Sequence, residues 1–142
     1  MPSRPDVSIL LPVHNGVEYT EACLRSIYPT VSLESQQVDG APPAEILIYD
    51  DRSTDGTAQL LERERDRVRT IRGNDRGSFA INTNRLAAEA RGDYLVMLNN
   101  DTLVRPGWLE GMLAVARAHP DAGIVGNLHV FPERPESISP GE

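Results

Sequence analysis

The chain has 142 residues, a net charge of −7 and 39% apolar residues. That is enough for one ordinary domain with a buried core, with no apolar run near the length of a membrane span and the wrong charge for a general nucleic-acid binder. All fourteen basic residues are arginine, so the lysine of a P-loop and that of a pyridoxal phosphate Schiff base are both excluded.

Met1 to Asp6 lacks the apolar region of a signal peptide. Val7 to Val13 is apolar almost throughout, as expected of a central strand. It ends at the turn His14-Asn15-Gly16, and a helix is predicted from about Val17 to Tyr28, closed by Pro29. Cys23, the lone cysteine, lies on that helix. It excludes an internal disulfide and a cysteine-based zinc site, suits a reducing compartment, and is a small core residue before it is a nucleophile. Thr30 to Ala44 is long for a β-α-β connection and is expected to be exposed and mobile in part.

Glu45 to Tyr49 is a second buried strand, ending in Asp50-Asp51-Arg52-Ser53-Thr54-Asp55-Gly56-Thr57. Ser53, Thr54 and Asp55 are all good N-caps for a helix running to about Asp66. The run from Glu62 to Arg67 is a solvated face with local ion pairs. Val68 to Ile71 is a short strand nearer an edge, and Ser78 can cap a helix that Gly92 ends. Phe79, Thr83, Leu86 and Ala90 fall on one face of that helix, with Asn82, Arg85 and Glu89 on the other. Tyr94 to Leu98 has the character of a buried strand and ends in Asn99-Asn100-Asp101-Thr102. A helix with Trp108, Leu109, Met112, Leu113, Val115 and Ala116 on a broad apolar face follows, stopped by His119-Pro120. Gly123 to Gly126 and Leu128 to Phe131 are short strand candidates, and Pro132 to Glu142 is expected as loop or an ordered fragment torn from its context.

Strands and helices alternating at this interval make an α/β chain with a mostly parallel sheet and right-handed crossovers. No Gly-x-Gly-x-x-Gly turn follows the first strand, which argues against the dinucleotide-binding version. Polar residues stand at three strand ends: Pro12 to Asn15, Asp50-Asp51, and Asn99 to Asp101. Open α/β sheets bind ligands there. Two adjacent carboxylates cost free energy to hold together, although a turn that merely caps a helix would also use them. A carboxylate such as Asp51 can accept from an imide N–H or a ribose hydroxyl, Asn74 offers a donor and an acceptor to a base edge, and Asp101 suits Mg²⁺ or Mn²⁺. For Asn99 to Thr102 a plain turn with side-chain-to-backbone hydrogen bonds is the alternative. His119 and His129 have no partner at metal-ligand spacing and are structural.

Taken together, Val7 to Asn15, Asp50 to Thr57, Asn74 with Gly77 to Ala80 and Asn84, and Ala90 to Thr102 resemble the nucleotide-binding half of a family 2 inverting glycosyltransferase. Gly107-Trp108-Leu109 and Pro120 to Gly126 continue the pattern. The resemblance implies a three-layer α-β-α, Rossmann-like GT-A fold over residues 1–142 as a single domain, its C-terminal part missing. It implies that Pro12, Val13, His14 and Asn15 line the base pocket and that Asp51, supported by Asp50, holds a uracil or thymine ring. Asn74 and Gly77 belong to the loop that closes on the nucleotide, and Asn84 is a further nucleotide-sugar-binding residue. Asn100 faces the ribose, and Asp101 faces a Mg²⁺ or Mn²⁺ ion on the diphosphate. The usual Asp-x-Asp element keeps only its last carboxylate here, in an Asn-Asn-Asp-Thr form similar to that of members using deoxysugar or N-acetylhexosamine donors.

Glu133 and Glu136 lie too early to be the general base that an inverting transfer needs, so that base is expected beyond Glu142. The implied partners are a nucleoside-diphosphate sugar (UDP or dTDP) and a glycan or lipid-linked acceptor of cell-envelope or polysaccharide synthesis, reached through the missing part. No nucleic acid and no transmembrane segment are expected, and the implied location is cytoplasmic or peripheral at the inner face of the membrane. The rival reading is a non-catalytic nucleotide-sugar-binding or assembly module. A nucleotidyltransferase is disfavoured by the missing glycine-rich turn and the missing lysine.

Overall fold

Chain direction and strand order decide where this protein can hold a ligand. The structure, a computed structural model, describes residues 3–73, 75–131 and 134–139. Its elements in order are β1 (Val7–Val13), α1 (Val17–Ile27), β2 (Ala44–Asp50), α2 (Thr57–Arg63), β3 (Arg69–Arg72), α3 (Phe79–Glu89), β4 (Tyr94–Met97), α4 (Trp108–Ala118), β5 (His129–Phe131) and β6 (Arg134–Ser139). Two compact units emerge, residues 1–105 and 106–142.

In the first unit the order across the sheet is β3-β2-β1-β4, with every pair parallel. The chain steps one way from β1 to β2 to β3 and then returns across the sheet to β4. Right-handed crossovers therefore place α1 and α2 on one face and α3 on the other, and α1 and α2 touch each other while α3 packs on β1 and β2. The three-layer expectation holds. The reversal puts a topological switch point at β1, between β2 and β4, and such points open a crevice beyond the strands' carboxyl ends.

β1 and β2 are buried at nearly every position, because helices cover both faces. Leu10, Leu47, Tyr49 and Leu86 form the core under α3, backed by Ile71, Ala87 and Ala90. The alternate residues Ile9, Leu11, Ile46 and Ile48 are fully buried too and point to the α1/α2 face. At about 1.5–3 kcal/mol for each such side chain, these two strands carry the unit's stability. Pro12 fits a central strand for a local reason. It shares the parity of Leu10, whose carbonyl accepts from Leu98 N–H, and the β4 ladder ends at Leu10, so its missing N–H faces no partner strand.

Several expectations need correction. β4 was expected to be buried throughout but alternates, with Leu95 49% and Met97 61% exposed, because it is the last strand of the sheet. The connection after α1 is exposed along much of its length, at Glu34, Ser35, Gln37, Asp39, Gly40 and Pro43, but not at its start. Val31 and Leu33 are buried, a short 3-10 turn (Tyr28–Thr30) extends α1, and Ser32 pins the segment by bonding Val38 through both its hydroxyl donor and acceptor. α2 stops at Arg63, three residues before Asp66. On α3, Thr83 and Leu86 are buried as predicted, but Phe79 is half exposed and Asn82, expected on the other face, is buried. Ser78 does cap α3, accepting from Ile81 N–H, but the helix ends at Glu89 and Gly92 serves another purpose. A Cβ there would stand 2.5 Å from Ser8 N and 2.6 Å from the Val7 carbonyl carbon, so only glycine lets the chain cross this close to β1.

In the second unit α4 ends before His119 as predicted, with Leu109 and Leu113 buried. Residues 123–126 form no strand; two glycines in four residues leave little side chain to stabilise one. The stretch expected as loop or an ordered fragment contains β6, paired antiparallel with β5 through an irregularity at Val130/Phe131. Pro135 is tolerated there because a two-stranded ribbon has only edges. No described helix is long and apolar enough to cross a membrane.

Candidate functional site

The turns after β1 and β2 are stitched to each other by side chains from both. Asn15, at φ 54°, tolerates the left-handed conformation better than most residues. Its amide oxygen accepts from the backbone N–H of Thr54 (2.8 Å) and Asp55 (3.3 Å), and its own N–H donates to Ser53 Oγ at 2.8 Å. Asp55 closes the stitch, accepting from Val17 N–H at 3.0 Å with one oxygen and from Thr57 N–H and Oγ1 with the other. None of the three predicted caps is the N-cap of α2, which is Gly56 without a side-chain cap; Asp55 accepts from the first N–H of the helix, while Ser53 and Thr54 face the β1 turn. Donation from the Thr57 hydroxyl, opposed in part by desolvation and helped by the backbone N–H groups of Thr57 and Val17, holds the Asp55 carboxyl below its ordinary value. His14 Nδ1 lies 2.6 Å from the Asp51 carbonyl. A carbonyl only accepts, so Nδ1 carries the proton, and Nε2 faces the Asn15 amide nitrogen at 3.4 Å.

The two adjacent carboxylates have different surroundings. Asp50 is fully buried, and its partners account for both oxygens: Oδ1 accepts from Ser53 N–H at 3.0 Å, and Oδ2 accepts from Arg72 Nε and Nη2 at 3.2 and 3.0 Å. It ties the end of β2 to β3 and to its own turn. Asp51 is 7% exposed. Its Oδ2 accepts from Gly77 N–H at 3.3 Å and from Asn82 Nδ2 at 3.1 Å. Its Oδ1 is buried and has no hydrogen-bond partner among the described residues; Arg52 Nε stands 4.0 Å away, outside hydrogen-bond range. An orphaned carboxylate oxygen is costly, and here it sits at the carboxyl end of a central strand beside the switch point. The intervening Arg52 has φ 54°, a strained conformation of the kind found at functional turns.

Asn82 is itself held. Arg85 Nη1 donates to Asn82 Oδ1 at 3.3 Å and to the Tyr49 hydroxyl, and the guanidinium lies 5.3 Å from the Tyr49 ring centre. Gly77 fits against the same amide: a Cβ would approach Asn82 Oδ1 to 2.1 Å.

At the end of β4, Asn100 Nδ2 donates to Thr20 Oγ1 on α1 at 3.1 Å, and the Asn99 carbonyl lies 3.8 Å from Cys23 Sγ. Asp101 is exposed. Burial, reinforced by the Asp101 charge, pushes the Cys23 thiol up to about 12, so at neutral pH it is an inert core group, as its helical setting predicted. No cluster of three His, Cys, Asp or Glu occurs among the described residues. The metal donors available are those of one carboxylate, a set that suits Mg²⁺ or Mn²⁺ when substrate phosphates complete the shell.

The first unit thus gathers Pro12, Val13, His14, Asn15, Asp50, Asp51 and Gly77 around the ends of β1 and β2, and places Asn100 and Asp101 at the end of β4. Asn84 is exposed on α3, away from the Asp51 carboxylate that Asn82 reaches, and Asn74 lies outside the described residues, as does Glu133. Sequence reading missed Asn82, Arg85, Thr20 and Arg72. For Asn82 a signal existed: it precedes Leu86 by four residues, which puts it on the stripe of a core residue.

The family description of glycosyl transferase family 2 matches residues 8–142. Among curated relatives, a putative glycosyltransferase of Bacillus subtilis, EpsE, is 29% identical over 138 residues, covering 94% of this chain and 46% of its own. The putative teichuronic acid biosynthesis glycosyltransferase TuaG of the same organism is 27% identical, covering 78% and 41%. The chain therefore spans less than half the length of these relatives. Two solved structures share the fold. The mannosyltransferase PcManGT of Pyrobaculum calidifontis, in complex with GDP-Man and Mn²⁺, has a TM-score of 0.67 at 23% identity over 93% of this chain and 37% of its own. TarS of S. aureus, residues 1–349, in complex with UDP, has 0.63 at 20% identity over 81% and 33%.

Proposed function

The chain belongs to glycosyl transferase family 2, and from that premise we propose that it is the donor-binding half of an inverting glycosyltransferase. The donor is a nucleoside-diphosphate sugar carrying uracil or thymine. The acceptor is a glycan or lipid-linked saccharide of cell-envelope or polysaccharide synthesis, engaged by residues beyond Glu142 that also supply the general base.

One observation carries this reading: the buried, unpartnered Oδ1 of Asp51. A pyrimidine imide N–H supplies the hydrogen bond that this oxygen lacks, and it does so only in the complex, which turns a cost of the free protein into binding selectivity. Pro12 to Asn15 wall the base on the β1 side, and the Gly77 segment closes on it. Asn100 faces the ribose, its amide steadied by Thr20. Asp101 is the carboxylate for a divalent ion on the diphosphate. Such an ion, when bound, neutralises charge that develops on the departing diphosphate. The solved relatives that hold UDP, or GDP-Man with Mn²⁺, support a nucleotide and a divalent ion in this fold. The single buried, protonated thiol suits a cytoplasmic protein, dissolved or peripheral at the inner face of the membrane.

Calorimetric titration with UDP, dTDP and GDP, with and without Mn²⁺, tests this on wild type, Asp51→Ala and Asp101→Ala. Pyrimidine-selective binding that Asp51→Ala abolishes, with metal dependence that Asp101→Ala abolishes, is the expected result. Binding of no nucleotide at all refutes the donor-site reading and leaves the chain an assembly module.

A further inference from the structure

Resting on the reading of Asp51 above, we infer that Asn82 is a positioning residue that sets nucleobase selectivity: it occupies Oδ2 of Asp51 so that Oδ1 alone is offered to the base, and Arg85 locks it in that orientation.

The direction of each hydrogen bond follows from chemistry. A guanidinium only donates, so the Asn82 atom facing Arg85 Nη1 is the amide oxygen. The amide nitrogen must then face Asp51, where it lies 3.1 Å from Oδ2. With Gly77 N–H at 3.3 Å on the same oxygen, Oδ2 already accepts two donors, while Oδ1 accepts none among the described residues. The carboxylate is held as a one-sided acceptor. Uracil and thymine present an N–H at the ring edge between their two carbonyls and match a single acceptor. Cytosine presents a ring acceptor at that position and a donor only on its neighbouring exocyclic amine, so it meets the fixed Oδ1 with a lone pair.

The lock reaches deep into the core. Tyr49 is 2% exposed; its hydroxyl accepts from Arg85, and the guanidinium lies over its ring. Asn82 is 3% exposed, and its oxygen leaves no room for a Cβ on Gly77. None of Tyr49, Asn82 and Arg85 needs to touch the nucleotide for this to work. Without the Asn82 amide the Asp51 carboxylate can tilt and offer Oδ2 to the exocyclic amine of cytosine, so selectivity falls further than folding does.

The test measures dissociation constants of UDP and CDP for the full chain in wild type, Asn82→Ala, Asn82→Asp and Arg85→Ala, with thermal melts alongside. Wild type should prefer UDP by about tenfold or more, the worth of one hydrogen bond to a charged group. Asn82→Ala and Arg85→Ala should bring the UDP:CDP ratio toward one while the protein stays folded. Asn82→Asp, which sets a second carboxylate against Oδ2, should weaken both nucleotides. Arg85 is only partly buried, so its variant reports even where the buried Asn82 variants fail to fold. Weakening of UDP and CDP by the same factor in Arg85→Ala overturns the positioning role while leaving the Asp51 reading intact. A wild type without any UDP preference overturns both.

Discussion

Asp50 and Asp51 are neighbours, both carboxylates and both buried, yet the structure predicts opposite outcomes when each becomes asparagine. In Asp50→Asn the single amide oxygen can serve Ser53 N–H or Arg72, not both, and the amide nitrogen then confronts a donor. Removing a hydrogen bond to a charged group costs about 1.5–3 kcal/mol. The Arg72 side chain is 58% exposed, so water recovers part of its loss and about 2 kcal/mol is expected, roughly 5–10 °C in melting temperature for a chain of this size. In Asp51→Asn the amide oxygen takes the Oδ2 position, keeping the donors from Gly77 and Asn82. The nitrogen takes the Oδ1 position, which has no hydrogen bond to lose among the described residues. One unpaired buried atom replaces another and a buried charge disappears, so stability should stay within about 1 kcal/mol of wild type. UDP affinity should nonetheless fall by roughly 10–100-fold, because the base N–H now meets an N–H. Urea melts and UDP calorimetry on both variants decide the matter. If Asp51→Asn loses as much stability as Asp50→Asn, Oδ1 has a partner in solution and the case for a waiting acceptor collapses.

Two further outcomes follow from local geometry. Gly92→Ala drives a methyl to 2.5 Å from the Ser8 backbone nitrogen; neither strand nor crossing can yield cheaply, so a loss of about 1–3 kcal/mol is expected in urea unfolding, and an unchanged midpoint would show that the crossing relaxes. Asp55, whose carboxyl lies below its ordinary value chiefly through the Thr57 hydroxyl, contributes stability that is present above the unfolded-state value near pH 4 and lost as pH falls through the lowered folded value. Acid melts of Asp55→Asn should be flatter than wild type in that range, and identical acid profiles would remove Asp55 from the account.

Much of this was legible in the residues because it depends on neighbours along the chain. Continuous apolar runs identified β1 and β2, Ser78 announced the start of α3, and Pro120 the end of α4. The polar groups at Asp50-Asp51 and Asn100-Asp101 marked the carboxyl ends of β2 and β4. Strand order was another matter. It put β4 at the end of the sheet, so a run of the same apolar character as β1 alternates between half-buried and exposed positions, and it put the switch point at β1. The division of labour between Asp50 and Asp51 was equally hidden, since Arg72 reaches one from 22 residues away and Asn82 the other from 31. Local propensity and hydrophobic pattern act over a few residues and can be read from a string. Which carboxylate oxygen is left without a donor depends on which distant groups the crossovers bring to it, and only the folded chain decides that.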